Sequence, residues 1–324
     1  MTQVETFATL PMWAGFVGFV LVVLALDLYV LGGRHAHRVR PREALFWVGV
    51  WMALAVLFGA LMWWYLDATL GRAVAHRKTL EFYTGYLIEL SLSVDNMFVF
   101  SLIFGYFVVP LELQRRVLLY GVLGAIVMRV GMILAGVWLL SKFDWLFYVF
   151  GVLLVATGAR MLARADHQPD IARNPLVRLL RSSMRITKEY HGESFFVRIG
   201  GLQHATPMFV VLLMIEASDV VFAVDSIPAI FAVTTDPFLV FTSNIFAIMG
   251  LRALYFLLAD MADRFHLLKY GLAIVLVFIG TKMTLMPWFH LPVEWSLAIV
   301  GGVILTSVLL SLIMPPKEDR MRSL

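Results

Sequence analysis

The chain contains no cysteine, which removes disulfides and thiolate metal sites together. Charge is scarce as well: 15% of the 324 residues are Asp, Glu, Lys or Arg, against about 25% in an ordinary soluble domain. There is no GxxxxGK[ST] loop to bind ATP, and neither GxGD nor GxSxG supplies a nucleophile or protease motif, so an enzyme is not expected. The opening MTQVETFATLPMW lacks a basic n-region, and no cleaved signal peptide is expected.

What the chain has instead is hydrocarbon. Apolar residues make up 61%, and uninterrupted apolar runs of about 20 residues recur, each able to cross roughly 30 Å of lipid. The expected fold is therefore all-α, a polytopic transmembrane helix bundle. Nine spans are predicted, at 12–31, 44–66, 80–107, 113–139, 145–163, 204–232, 237–259, 266–286 and 294–314. The one long connection, 164–203, is rich in Arg and holds Pro169, Pro175 and Gly200-Gly201. It predicts a cytoplasmic loop with an amphipathic segment around PLVRLLRSSMRI. Basic residues divide seventeen to four between the two sides. One side takes Arg34–Arg42, Arg115, Arg116, the 164–203 loop, Arg264 and the tail; the other takes Arg72, Arg77, Lys78 and Lys142. By the positive-inside rule the N-terminus is outside and the C-terminus cytoplasmic. The net charge of +4 reflects this topology, and no nucleic-acid partner is read from it. Nine Trp, 25 Phe and 10 Tyr are expected at lipid-facing surfaces and interface belts, and the 17 Met in packing.

The chain also resembles itself. FDWLFYVFGVLLVATGARM from Phe143 aligns without gaps on FHLLKYGLAIVLVFIGTKM from Phe265. Upstream, Ile88-Glu89-x-Ser91 matches Ile215-Glu216-x-Ser218, and Pro110 matches Pro237. The matches keep their order across three helices, giving repeats at about 80–163 and 204–286, with the spans 12–31, 44–66 and 294–314 outside them. Three spans per copy make the second enter from the opposite side: an inverted repeat, whose substrate sites lie near the membrane midplane in many secondary transporters.

The first helix of each copy carries acids. Glu89 and Asp95 sit in IELSLSVDNMF; Glu216, Asp219 and Asp225 sit in IEASDVVFAVDSIPAIF; Asp27 lies in the first span. An ionised Asp at mid-span costs about 2.5–3.5 kcal/mol, so these groups require cations, protons or water inside the bundle. Glu216 and Asp219 lie about 60° apart on one helix, while Asp225 falls on the opposite face. Pro228 can break the helix, letting Asp225 or Ser226 cap a half-helix and turn inward. Ser93, Asn96, Ser218, Ser226 and Asn244 add neutral oxygens. Carboxylate, hydroxyl and amide oxygens without Cys or His suit a hard divalent cation, Mn²⁺, Mg²⁺ or Ca²⁺. The plainer reading pairs the acids with Arg129 and Arg252, also within spans, which are assigned structural or coupling roles. His35-Ala-His37 reads as a solvated basic loop, Asp144, Asp260 and Asp263 as interfacial, and Asp236-Pro237 as a helix cap.

GYLIELSLSVDNMFVF, LQRRVLLYGVLGAIVMR, IEASDVVFAVDSIPAIFAVTTDPF and TSNIFAIMGLRALYFLLA together resemble the TerC family, and within it the Alx branch. The likeness extends to HAH, FDW, FFVR at 195–198 and LKYGLA, and is least over 164–194. It implies a bacterial inner-membrane protein linked to manganese export and metal homeostasis, with an older association with tellurium resistance. It also implies that Glu89, Asp95, Glu216, Asp219 and Asp225 are the acids of the cation site, with Asp27 a weaker candidate. The expected function is secondary export of Mn²⁺, with proton exchange, the lipid bilayer as the surroundings and no permanently bound cofactor. Two other readings stand beside it. One is a non-transporting scaffold that assists metalation of secreted proteins. The other is an exporter of a small organic solute whose carboxylate meets Arg129 and Arg252.

Overall fold

A backbone immersed in hydrocarbon must satisfy its own N–H and C=O groups, and for single apolar runs the α-helix does so. The computed structural model describes residues 6–26, 41–143, 145–163, 184–187, 189–259, 267–285, 288 and 291–314. Asp27, His35, His37, most of the 164–194 loop with its amphipathic segment, Asp144, Asp260, Asp263 and the C-terminal tail lie outside the described residues. So does the side chain of Asp95. The described elements are α1 (Leu10–Leu26), α2 (Pro41–Leu70), α3 (Arg72–Tyr106), α4 (Leu111–Lys142), α5 (Leu146–Ala163), β1 (Phe196–Ile199), β2 (Leu202–Ala205), α6 (Pro207–Phe231), α7 (Pro237–Ala259), α8 (Leu268–Leu285) and α9 (Val293–Ile313). Among the described residues, eight helices are long and apolar enough to cross a membrane, and α1 spans 17 residues.

Several boundaries differ from the expected spans, each for a local reason. Helix α3 begins at Arg72 rather than near 80, because Gly71 makes the turn from α2 alone, at φ +88°. Its extra turns are held by Glu81, which accepts from Arg77 Nε and Lys78 Nζ, both at 3.1 Å. Residues expected to open the span at 204 instead end a β-hairpin, in which Phe196 pairs Ala205 and Ile199 pairs Leu202. Gly200 and Gly201 turn it with φ of +60° and +80°, the backbone that a two-residue type I′ turn demands. Helix α6 runs unbroken through Pro228, so the break that the proline makes possible does not occur. The proline sits in the last turn, so it costs one bond, to the Val224 carbonyl, and only three helical residues follow it.

The four helices α3, α4, α6 and α7 form the centre, with α2 and α1 packed on one flank and the α5–α8 pair on the other. Not all aromatics face lipid, as the composition had predicted. Phe16, Phe82, Phe238 and Phe246 are buried and, with Phe58, form a ring cluster that ties α1 and α2 to α7; Phe58 and Phe246 stand 5.1 Å apart between centroids. Trp64, Trp138, Trp145, Trp288 and Trp295 do face outward. Buried Met208, Met214 and Met283 serve as packing.

Helices α5 and α8 cross at glycines. A Cβ on Gly158 would lie 2.6 Å from the Ala273 carbonyl and 3.1 Å from Val277 N, and one on Gly280 would lie 2.5 Å from the Gly151 carbonyl and 2.8 Å from Val155 N. When Phe143 is aligned on Phe265, positions 151, 155 and 158 correspond to 273, 277 and 280. Each contact thus becomes the other when the two segments are exchanged, the signature of an isologous two-fold contact. Other helix pairings exchange in the same way: α3 with α7 and α4 with α6, and α5 with α6 and α3 with α8.

The crossing predicts a specific weakness. Gly158→Leu places a side chain where a backbone carbonyl stands and is expected to cost about 1–3 kcal/mol or more, as overpacking does. Gly302→Leu, at an exposed position where a Cβ meets nothing within 4 Å, should be close to neutral. Thermal unfolding of the two variants in detergent, followed by size-exclusion chromatography, checks the contrast.

Candidate functional site

The buried polar residues of α3, α4, α6 and α7 converge on one side chain. Arg129, in the middle of α4, is 1% exposed, and a guanidinium in that position must find acceptors or strand its charge. It finds four. Nη2 donates to Asp219 Oδ1 at 3.2 Å and Nε to Asp219 Oδ2 at 3.4 Å, a two-point grip on α6. Nη1 pairs with Glu89 Oε1 of α3 and also donates to Ser226 Oγ at 3.0 Å and Asn244 Oδ1 at 3.4 Å. Asp219 and Ser226 are seven residues apart, two helical turns, which puts both on the face of α6 that meets α4. Glu89 and Asn244 are entirely buried.

The cluster is not saturated. Glu89 Oε2, Ser93 Oγ, Asn244 Nδ2 and Glu216 Oε2 are buried without a hydrogen-bond partner in the protein. Native interiors leave few such atoms, because each costs on the order of 1–3 kcal/mol. Ser93 lies one helical turn beyond Glu89 and Asn96 two turns beyond, and both are buried. Glu216, one turn before Asp219, lays its carboxylate on Gly124 of α4, where any Cβ would fall 2.0 Å from Oε1.

Asp225 stands apart from this cluster. On the unbroken α6 it points toward α5, where Thr157 Oγ1 donates to its Oδ1 at 3.0 Å. The break that Pro228 makes possible, which would turn Asp225 inward, is absent, so Asp225 keeps the opposite face. Ser218 donates to the Met214 carbonyl of its own helix at 2.8 Å, as Ser91 does to Leu87 at 2.6 Å at the matching position of α3. Among the described residues, no three His, Cys, Asp or Glu side chains come together as a metal cage. The Glu89–Asp219 pair faces a guanidinium instead.

Arg252 borders two small cavities. One, of about 10 Å³, is shared with Asp219, Gly121 and Met97; the other, of about 30 Å³, is shared with Glu43, Trp51 and Arg115. Together they lead from the cluster toward the end of the bundle where α2 and α4 begin. At the opposite end a second polar network joins α3 to the α6–α7 connection. Thr234 Oγ1 donates to Glu81 Oε2 at 2.7 Å, and Lys78 Nζ reaches Asp236 Oδ2 at 3.6 Å. Asp236 also caps α7 through the Phe238 N–H at 3.0 Å, as the Asp-Pro pair predicted. Sequence reasoning missed Glu81, Thr157 and Gly124. Glu81 was legible as a charge at the mouth of a span, whereas Thr157 and Gly124 gain their meaning only from the helices they face.

The profile described as "Integral membrane protein TerC family" matches residues 74–319. Over 318 residues, 98% of this chain and 99% of the relative, the chain is 52% identical to "Putative membrane-bound redox modulator Alx" of Escherichia coli strain K12. It is 47% identical over 312 residues, 95% of each chain, to "Uncharacterized membrane protein STKORF319" of Myxococcus xanthus. An "Uncharacterized membrane protein" of Rickettsia bellii is 38% identical over 308 residues, 95% of this chain and 99% of the relative. No solved structure matches. A polar cluster sealed inside apolar helices and likeness along nearly the whole chain lead to one assignment: this multi-pass membrane protein belongs to the TerC family.

Proposed function

We propose that the protein is a secondary transporter that carries Mn²⁺ out of the cytoplasm, with protons as the counter-ion, across a bacterial inner membrane. The observation that carries this reading is the Glu89–Asp219 pair: two buried carboxylates of different helices share one guanidinium, with unpartnered oxygens of Glu89, Ser93 and Glu216 nearby. Ionisable groups at that depth are expensive and mark ion pathways. The oxygen donors fit hard divalent cations in general; the choice of manganese comes from the resemblance to the TerC family. Glu89 and Asp219 are assigned as the central ligands, with Ser93, Asn96, Ser226 and Asn244 supplying neutral oxygens. Asp95 is assigned as a further ligand, Asp225, which stands apart in this conformation, as a ligand in another conformation of the carrier, and Glu216 as a ligand or proton carrier.

The surrounding architecture supports a carrier. The exchange symmetry of the α5–α8 crossing fits an inverted repeat, with the cluster between the two copies. The excess of basic residues at the end with Arg42, Arg115 and Arg198, over the end with Arg72, Lys78 and Lys142, supports assigning that end, on which the Arg252 cavities lie, to the cytoplasm. The Glu81–Lys78–Asp236 network then closes the outer end.

A non-transporting membrane component is the second reading, favoured by the words "redox modulator" in the description of the relatives. Without cysteine, thiol–disulfide exchange has no side chain to act through in this chain. The organic-solute reading is weakened because Arg129, which would have to receive the solute's carboxylate, already holds Glu89 and Asp219.

Expression in a bacterium lacking its manganese exporters tests the proposal. The intact protein is expected to lower cellular manganese, and Asp225→Asn at equal membrane level to lose most of that effect. Unchanged manganese with the intact protein, or full export by Asp225→Asn, contradicts the reading as stated.

A further inference from the structure

The atoms that hold Arg129 are those a hard metal ion would choose: two carboxylate oxygens of Asp219, one of Glu89, a hydroxyl of Ser226 and the amide oxygen of Asn244. They come from three helices and meet on a fourth. No nitrogen or sulfur acceptor takes part. A guanidinium therefore fills what is, by its donor chemistry, an oxygen-lined cation site.

We propose that Arg129 is a tethered counter-cation. It neutralises the carboxylates of the unloaded carrier in the place that the divalent ion takes, and gives up those contacts when the ion binds. The inference rests on the manganese-carrier reading above and adds how the Glu89–Asp219 site is neutralised while the carrier returns without Mn²⁺, with Glu216 as the group that carries the proton.

Charge supplies the argument. Glu89 and Asp219 together carry two negative charges when ionised, Arg129 only one, and Glu89 Oε2 keeps no partner. A divalent ion matches that pair in full, so it can displace the arginine despite arriving without a tether. Once the ion has left, two bare carboxylates inside a low-dielectric bundle would be trapped where water reaches them. An arginine fixed to α4 travels with the protein, cannot be deprotonated in place, and restores a neutralising charge at each release. The same residue thus weakens ion binding and makes turnover continue. A purely structural ion pair would do neither.

The two roles separate experimentally in purified protein. Mn²⁺ affinity is measured by calorimetry in detergent. Net Mn²⁺ flux and one-for-one exchange of radioactive against unlabelled Mn²⁺ are measured in liposomes. Arg129→Gln is expected to bind Mn²⁺ tighter, on the order of tenfold, since a like charge has left the site. Its net flux should fall by about tenfold or more while exchange, which never visits the empty state, largely persists. Arg129→Lys keeps the charge, and its ratio of exchange to net flux should stay near that of the wild type.

If Arg129→Gln binds no tighter, or net flux and exchange fall together, Arg129 is structural and the inference is overturned with the transport reading intact. If Arg129→Gln does not fold, a folded Arg129→Lys that exchanges normally but has lost net flux overturns it equally. Wild-type protein that neither binds nor moves Mn²⁺ removes the transport reading itself, and the inference with it.

Discussion

One ion pair organises this protein: the guanidinium of Arg129 between Glu89 and Asp219. Stripping a buried pair of one partner costs about 3–5 kcal/mol, because the other charge is left behind. Inside a bundle of apolar helices, that cost sets which helices must touch. Helix α4 brings the positive charge, α3 and α6 the negative ones, and α7 an amide that fills the remaining side. The apolar clusters above and below then need only fit around a centre whose geometry is already fixed. Gly124 shows the constraint reaching outward, since the Glu216 carboxylate lies where any larger residue on α4 would stand.

The periphery has a different logic. Between helices in lipid there is little hydrophobic driving force, and close backbone approach takes its place. Gly158 and Gly280 allow α5 and α8 to cross with carbonyls against glycines, in a pattern that exchanges onto itself. Polar networks mark both ends of the bundle. One joins Glu81, Lys78, Thr234 and Asp236; the other lies where Arg252 borders two small cavities.

Much of this was legible in the residues. Apolar runs fixed the helices, because hydrocarbon permits little else, and the same scarcity of charge made Glu89, Asp219 and Arg129 conspicuous. Periodicity placed Asp225 on the face away from Glu216, and that geometry holds because α6 does not break at Pro228. A proline's effect depends on how many turns follow it, and here α6 ends three residues later, at Phe231. The hairpin at 196–205 went unread although Gly200-Gly201 announced it, since four-residue strands carry too short a pattern to compete with an adjoining apolar run. The inward Phe cluster could not be told from a lipid-facing belt, because both are equally apolar and periodicity is lost when a helix is hydrophobic all round. Thr157 as the partner of Asp225 is a tertiary fact, 68 positions away in sequence.

The central claim is that the buried carboxylates hold a divalent cation, and electron paramagnetic resonance of Mn²⁺ titrated into the purified protein tests it most directly. Hydrated Mn²⁺ gives a sharp signal that broadens when protein oxygens replace water. The account predicts that the wild-type protein suppresses that signal to saturation, and that a protein carrying Glu89→Gln together with Asp219→Asn, folded by chromatography, leaves it unchanged. Equal suppression by both proteins would place any bound manganese elsewhere and contradict the account.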